Sequence, residues 1–150
     1  MSKVHSLKNT LKGAAIMLTL MIAMISCDQE KVLSPDDYPS EITSYVSTNF
    51  PDNTILQVVK DSEGISMTYD VLLSENINLE FNRKKEIIEI KAKSKLPNSV
   101  IPEKILQHVS TNYPDNFITS WELDDGKQQV KINNGLELEF DKNMDFLKLD

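Results

Sequence analysis

The sequence predicts an α+β protein built as a tandem repeat, each copy a helix packed on a four-stranded antiparallel sheet. Three observations carry that expectation. The heptapeptide Ser47-Thr48-Asn49-Phe50-Pro51-Asp52-Asn53 returns 63 positions later as Ser110-Thr111-Asn112-Tyr113-Pro114-Asp115-Asn116, too unusual a string to recur by chance in 150 residues. Apolar residues before each string recur at helical spacing, and those after it recur at every second position.

The register of the repeat locates its parts. An offset of 63 pairs Pro39 with Pro102, Ile42 with Ile105, Val46 with Val109, Ile55 with Ile118 and Asp61 with Asp124, giving 11 identities in the 24 positions from 39 to 62. Beyond that the offset becomes 59, pairing Val71 with Val130, Leu79 with Leu138, Glu80 with Glu139 and Phe81 with Phe140. The first copy therefore holds four extra residues near Glu63 to Thr68. An insertion of that kind is expected in a surface loop, where no buried backbone is left unpaired.

Each helix is legible from its apolar stripe and its prolines. Ile42, Tyr45 and Val46, and in the second copy Ile105, His108 and Val109, stand at i, i+3, i+4. Pro39 and Pro102 sit where a first-turn proline is tolerated, and Pro51 and Pro114 forbid continuation, so each helix should run about ten residues. Phe50 and Tyr113 should fold back onto the same stripe.

The strands follow as a meander. Met67, Tyr69, Val71 and Leu73 alternate with polar neighbours, as do Ile77, Leu79 and Phe81, and Leu136, Leu138 and Phe140. The spacing predicts strands at 54–60, 66–73, 76–81 and 86–91, then at 117–123, 127–133, 135–140 and 145–149. Asp125-Gly126 and Asn134-Gly135 are the residue pairs that tight hairpins use. Units of about 55 residues bury little surface alone. Side-by-side packing of copies at 38–95 and 96–150, linked through Lys91 to Asn98, is the expected arrangement.

The N-terminus reads as an address. Residues 1–26 contain Lys3, Lys8 and Lys12, no acidic residue, and an uncharged run from Gly13 to Ser26. That is the layout of a secretion signal, with a run too short for a membrane span, which needs roughly 20 apolar residues. Met24-Ile25-Ser26-Cys27 resembles a bacterial lipobox, with Met in place of the usual Leu. The resemblance implies cleavage before Cys27, the chain's one cysteine, and acylation of it. Residues 27–37 then form a polar tether. The expected location is the cell envelope, lipid-anchored; outer membrane, periplasmic face and cell surface all stay open.

Charge excludes one class of partner. Without the signal segment the chain keeps 13 basic side chains against 23 acidic ones, a net of −10, the wrong sign for nucleic acid. The basic cluster Arg83-Lys84-Lys85 reads as a solvated hairpin tip. Catalytic inventory is equally thin. His108 aligns with Tyr45 and reads as a packing residue, and no glycine-rich phosphate loop exists among four glycines. His-based metal sites and nucleophilic triads lack their residues, so no metal and no cofactor is expected. Asp124-Asp125-Gly126 lacks the ligand spacing of a calcium loop. The glutamates Glu80, Glu137 and Glu139 alternate with apolar residues and should face water or a partner rather than act as an acid–base pair. Trp121 aligns with Val58, which favours the core; exposed, it would be a partner anchor.

Leu96-Pro97, Ile105, Val109, Asn112-Tyr113-Pro114 and the run Val130 to Asp141 together resemble the PepSY-like, beta-lactamase-inhibitor-like domains of Bacteroidetes lipoproteins. The resemblance spans both copies, from about residue 38 to 150. It departs from the pattern at Glu75-Asn76, at Lys85 and at Met144, the last two standing where a glycine usually follows the turn. It implies a helix on a four-stranded sheet used in tandem, like the beta-lactamase inhibitor protein, and no established activity. The functional expectation is a non-catalytic envelope lipoprotein whose sheet surface binds a protein or peptide, inhibitory activity being one form of that. Glu80, Trp121, Glu137 and Glu139 are its candidate contacts, and the membrane is reached through the lipid anchor. The alternative is a small-ligand or envelope-stress sensor or carrier that binds between the two copies.

Overall fold

Pro51 and Pro114 end their helices as the sequence requires. The computed structural model describes residues 29–149; the segment read as a secretion signal, Cys27 and Asp150 lie outside the described residues. Helix α1 spans Ser40–Asn49 and α2 spans Glu103–Asn112. A residue before proline is driven out of the helical region, and Phe50 (φ −133°, ψ 56°) and Tyr113 (φ −135°, ψ 58°) leave it identically. Pro39 and Pro102 stand one position earlier than expected, as N-caps. Their carbonyls accept the first helical hydrogen bonds, from Ile42 and Thr43 and from Ile105 and Leu106.

The repeated heptapeptide has a mechanical explanation. Asn49 Nδ2 donates to the Tyr45 carbonyl at 3.0 Å and Asn112 Nδ2 to the His108 carbonyl at 2.8 Å, so each folds its side chain back onto the last turn of its own helix. Asn53 Nδ2 donates to Ser74 Oγ at 3.2 Å, and Asn116 Nδ2 to Asn133 Oδ1 at 2.9 Å. Both asparagines thereby clamp the turn after the helix to a loop two strands away.

Nine strands follow one another in sequence order: β1 (Lys31–Val32), β2 (Ile55–Glu63), β3 (Ser66–Leu73), β4 (Ile77–Asn82), β5 (Ile87–Lys91), β6 (Ile118–Asp124), β7 (Lys127–Ile132), β8 (Glu137–Phe140) and β9 (Phe146–Leu149). All are antiparallel and all belong to one sheet. This corrects the expectation of a separate four-stranded sheet per copy. Strand β5 would otherwise leave a row of unpaired backbone groups, and β6 takes them up. The seam pairs Glu89 with Glu122, Ile90 with Trp121 and Lys91 with Ser120.

Two further expectations change. The four-residue insertion is not a loop. Hairpins β2–β3 and β6–β7 both turn through two residues, Gly64-Ile65 and Asp125-Gly126, and the extra residues add two pairs to the first ladder. The segment expected as tether is partly ordered: β1 pairs with β2, Leu33 is buried, and its N–H donates to the Val58 carbonyl at 2.9 Å. Leu96, 63 positions on, is buried as well, and each leucine precedes a short 3₁₀ turn, Pro35–Asp37 and Asn98–Val100. The structural repeat thus begins at Leu33, earlier than Pro39.

The core lies between the helices and one face of the sheet. Val58, Val71, Leu79, Ile90, Trp121, Val130 and Leu138 run across consecutive strands in register and are all buried. Ile42, Val46 and Phe50 of the first copy and Ile105 and Val109 of the second cover them. Tyr45 meets Phe81 edge to face at 5.3 Å, and His108 meets Phe140 in the same geometry at 5.3 Å while stacking on Phe146 at 4.6 Å. His108 is the packing residue its alignment with Tyr45 indicates. Burial pushes the Tyr45 hydroxyl up to about 12.

Candidate functional site

The sheet face opposite the helices is polar, because strand alternation that sends Val71, Leu79, Ile90 and Trp121 inward sends their neighbours outward. One register row crosses it: Val59, Asp70, Glu80, Glu89, Glu122, Gln129, Glu139 and Lys148. Four consecutive strands, β3 to β6, therefore place carboxylates directly opposite one another, with backbones about 5 Å apart. Like charges opposite one another destabilise a sheet. The row spans the join between the copies, with Asp70, Glu80 and Glu89 from the first and Glu122 from the second.

Electrostatics divide the face in two. Partial desolvation raises the Glu80 carboxyl above its ordinary range, helped by Asp70, Glu89 and Glu122 and opposed by Lys91. Asp70 is raised by desolvation and then by Asp61, Glu30 and Glu89. Lys91 binds Glu89, and that hydrogen bond holds the ammonium proton more firmly than usual. Beside the row, the Asp61 Oδ1 atom is buried without a hydrogen-bond partner. The far half of the face is balanced instead. Lys131 Nζ donates to Glu137 at 2.7 Å; Lys127 Nζ donates to Glu139 at 2.8 Å and Lys148 lies 3.6 Å from it. The Lys127 hydrogen bond, with the two lysine charges, lowers the Glu139 carboxyl.

The sequence-derived candidates thus separate. Glu80, Glu137 and Glu139 share the open face. Trp121 does not: it is 6 % exposed on the helix side, and its indole N–H donates to Gln128 Oε1 at 2.8 Å. Gln128 is there because a buried indole N–H needs an acceptor. Asp70, Glu89 and Glu122 were missed, since their juxtaposition depends on pairing across strands and, for Glu122, across the two copies. Cys27 lies outside the described residues.

Two hollows have the volume of a small-molecule site. A groove of about 520 Å³ on the open face is lined by Lys91, Ser120, Glu122, Gln129, Lys131 and Glu137 among others. A cavity of about 430 Å³ lies between α2 and the connector, lined by Leu96, Ile101, Leu106, Val109 and Phe117 among others. The latter draws all its walls from residues 95–118, so it is not a cleft shared by the two copies. Among the described residues no group of three or more His, Cys, Asp or Glu side chains is placed to hold a metal ion. None of their helices is long and apolar enough to cross a membrane.

Comparison with known proteins agrees with the repeat. The family described as "Putative beta-lactamase-inhibitor-like, PepSY-like" matches residues 23–67 and 67–148. Among solved structures, a Bacteroides vulgatus protein of the DUF2874 family, described as a "putative periplasmic protein", is 30% identical with a TM-score of 0.77, covering 83% of this chain and 99% of its own. A protein from Bacteroides thetaiotaomicron, described as a "putative calcium-regulated periplasmic protein", is 26% identical with a TM-score of 0.77, covering 81% and 96%. A second Bacteroides vulgatus periplasmic protein, of unknown function, is 26% identical with a TM-score of 0.76, covering 81% and 99%. No curated protein matches.

Proposed function

The chain belongs to the PepSY-like, beta-lactamase-inhibitor-like family, and we propose that it is a non-catalytic binding module of the cell envelope, anchored through an acylated Cys27. Its open sheet face receives a protein or peptide with basic side chains. The observation that carries this reading is the row Asp70, Glu80, Glu89 and Glu122, in which like charges stand opposite one another across four strands. A fold selected for stability alone has no reason to keep such a row, whereas a cationic partner turns the repulsion into attraction. The periplasmic descriptions of the relatives support an envelope location. A family description that names an inhibitor-like fold supports binding over chemistry, though fold by itself does not transmit function.

The test is affinity capture from envelope extract by residues 28–150, wild type against Glu80→Lys with Glu122→Lys. A partner held by the row is recovered by the wild type, released by salt and missing from the charge-reversed variant. Equal recovery by both proteins, or nothing above a tag control, removes this reading. Parallel captures in calcium and in chelator examine whether the calcium regulation ascribed to the Bacteroides thetaiotaomicron relative extends to this face.

A further inference from the structure

We infer that the tip of the β2–β3 hairpin, Gly64-Ile65, is a second membrane contact, dipping into the same bilayer that holds the acylated Cys27 and setting the sheet upright on it; the inference rests on the lipid-anchor reading. Ile65 is 98% exposed, against 60% for the next most exposed large apolar residues, Val32 and Leu56. A lone exposed isoleucine means little in itself. Its position gives it meaning.

The hairpin carries two more ladder pairs than its counterpart β6–β7. At about 3.4 Å per residue, the tip reaches about 7 Å further than the equivalent turn of the second copy. That second turn is Asp125-Gly126, which is polar. The insertion that distinguishes the copies therefore ends in a turn with an apolar side chain, Ile65, whereas the one side chain in the other copy's turn is the charged Asp125.

The chain leaves the described fold at this tip. Strand β2 runs toward Gly64, and β1, being antiparallel, runs toward it when followed back to the N-terminus, with Lys31 opposite Lys60. The Gln29 N–H donates to the Ser62 carbonyl at 3.2 Å, three residues short of Ile65. Cys27 is two residues before Gln29, a reach of about 7 Å at full extension. Chain length alone keeps an acyl chain on Cys27 within about 25 Å of Ile65. The partner surface is thus a bilayer, and an interfacial apolar side chain is buried about 5–10 Å into such a surface. Glu30, Asp61 and Glu63 flank the tip and repel anionic headgroups, so the contact is apolar and strongest on zwitterionic lipid.

The test uses the full chain purified from membranes and reconstituted into phosphatidylcholine vesicles containing nitroxide-labelled lipid. Ile65→Cys and, separately, Asp125→Cys receive a polarity-sensitive fluorophore; Cys27 is the only other cysteine and is blocked when acylated. The expected result is blue-shifted, nitroxide-quenched emission at position 65 and neither effect at position 125. Vesicle-bound protein with no quenching at 65, or with equal quenching at both, overturns the inference and leaves the anchor standing. A free Cys27 thiol, seen as double labelling and in the mass of the N-terminal peptide, with protein that fails to float with vesicles, overturns both.

Discussion

Glu80 and Glu139 occupy the same place in the two copies, yet their protons are held in opposite senses. Glu80 is raised and Glu139 is lowered. The neighbours decide this. Opposite Glu80 stand Asp70 and Glu89; opposite Glu139 stand Gln129 and Lys148, the repeat equivalents of those two acids. The second copy carries Gln129 and Lys148 in the lateral row and adds Lys127, whose hydrogen bond to Glu139 contributes most, so equivalent backbones hold an acidic half and a charge-balanced half. In this sheet, the character of a glutamate belongs to the row it sits in rather than to its position in the repeat.

The largest effects test whether the copies are one cooperative body. Phe81→Ala and Phe140→Ala remove equivalent, fully buried rings and should each cost about 3–5 kcal/mol. Because β5 and β6 are paired, the fluorescence of Trp121, the chain's one tryptophan and a residue of the second copy, should report Phe81→Ala at the same urea midpoint as circular dichroism. Separate transitions break the single-sheet account. Ile90→Ala acts on the seam itself, opposite Trp121, and should cost about 2–5 kcal/mol. It should also be the variant in which the two probes come closest to parting.

Smaller effects address the turns, where the copies agree. Lys85 and Met144 both have φ of 63°, and both turns are tied alike: each residue's N–H donates 2.8 Å to the carbonyl of Asn82 or Asp141. The left-handed geometry is retained although glycine is absent, at a cost to any other L-residue. Lys85→Gly should raise stability by about 0.5–1 kcal/mol, the strain relief exceeding the added unfolded-state entropy; Met144→Gly should gain less, because the Met144 side chain packs against the core. A loss in thermal midpoint for either shows that the side chain contributes more than its backbone costs.

The smallest effect is in pH dependence. Raised folded-state values mean that Asp70 and Glu80 bind protons more readily folded than unfolded, so stability rises as pH falls toward their ordinary values of 3.8 and 4.5. Glu139, Asp141 and Glu41 have lowered values, and their contribution is lost as pH falls through those lowered values. Stability should peak at mildly acidic pH. Glu80→Gln should be more stable than wild type by about 0.2–1 kcal/mol at neutral pH, with the gap closing as pH falls toward 4.5. Glu139→Gln should show no such gain. Thermal melts across the pH range compare the two directly.

The repeat, the helix bounds and the eight predicted strands were legible because each rests on local chemistry: prolines stop helices, period-two apolar runs form strands, and asparagines cap helix ends. The segment around Leu33 was missed and read as tether, because its neighbours are polar, although Leu33 matches Leu96 at the offset of 63. For Trp121 the alignment with Val58 favoured the core while its chemistry kept it among the candidate contacts; its burial and its acceptor Gln128, visible only in the folded structure, remove it from the open face. The glycine expected at Asn134-Gly135 is in the left-handed region, at φ 94°, while Glu75 and Asn76 adopt φ of 61° and 58° without glycine.

From sequence alone come the duplication, the alternation of helix and meander and the acidic balance, since each is read from residue identity and spacing along the chain. Tertiary structure decided that the two copies share a sheet and that β1 closes its first edge. It also decided that carboxylates from Asp70 to Glu122 form a single row, because strand register couples residues up to 52 positions apart. Burial of one apolar row on the helix side, together with the hairpin turns, set that register, and edge pairing of β5 with β6 carried it across the two copies.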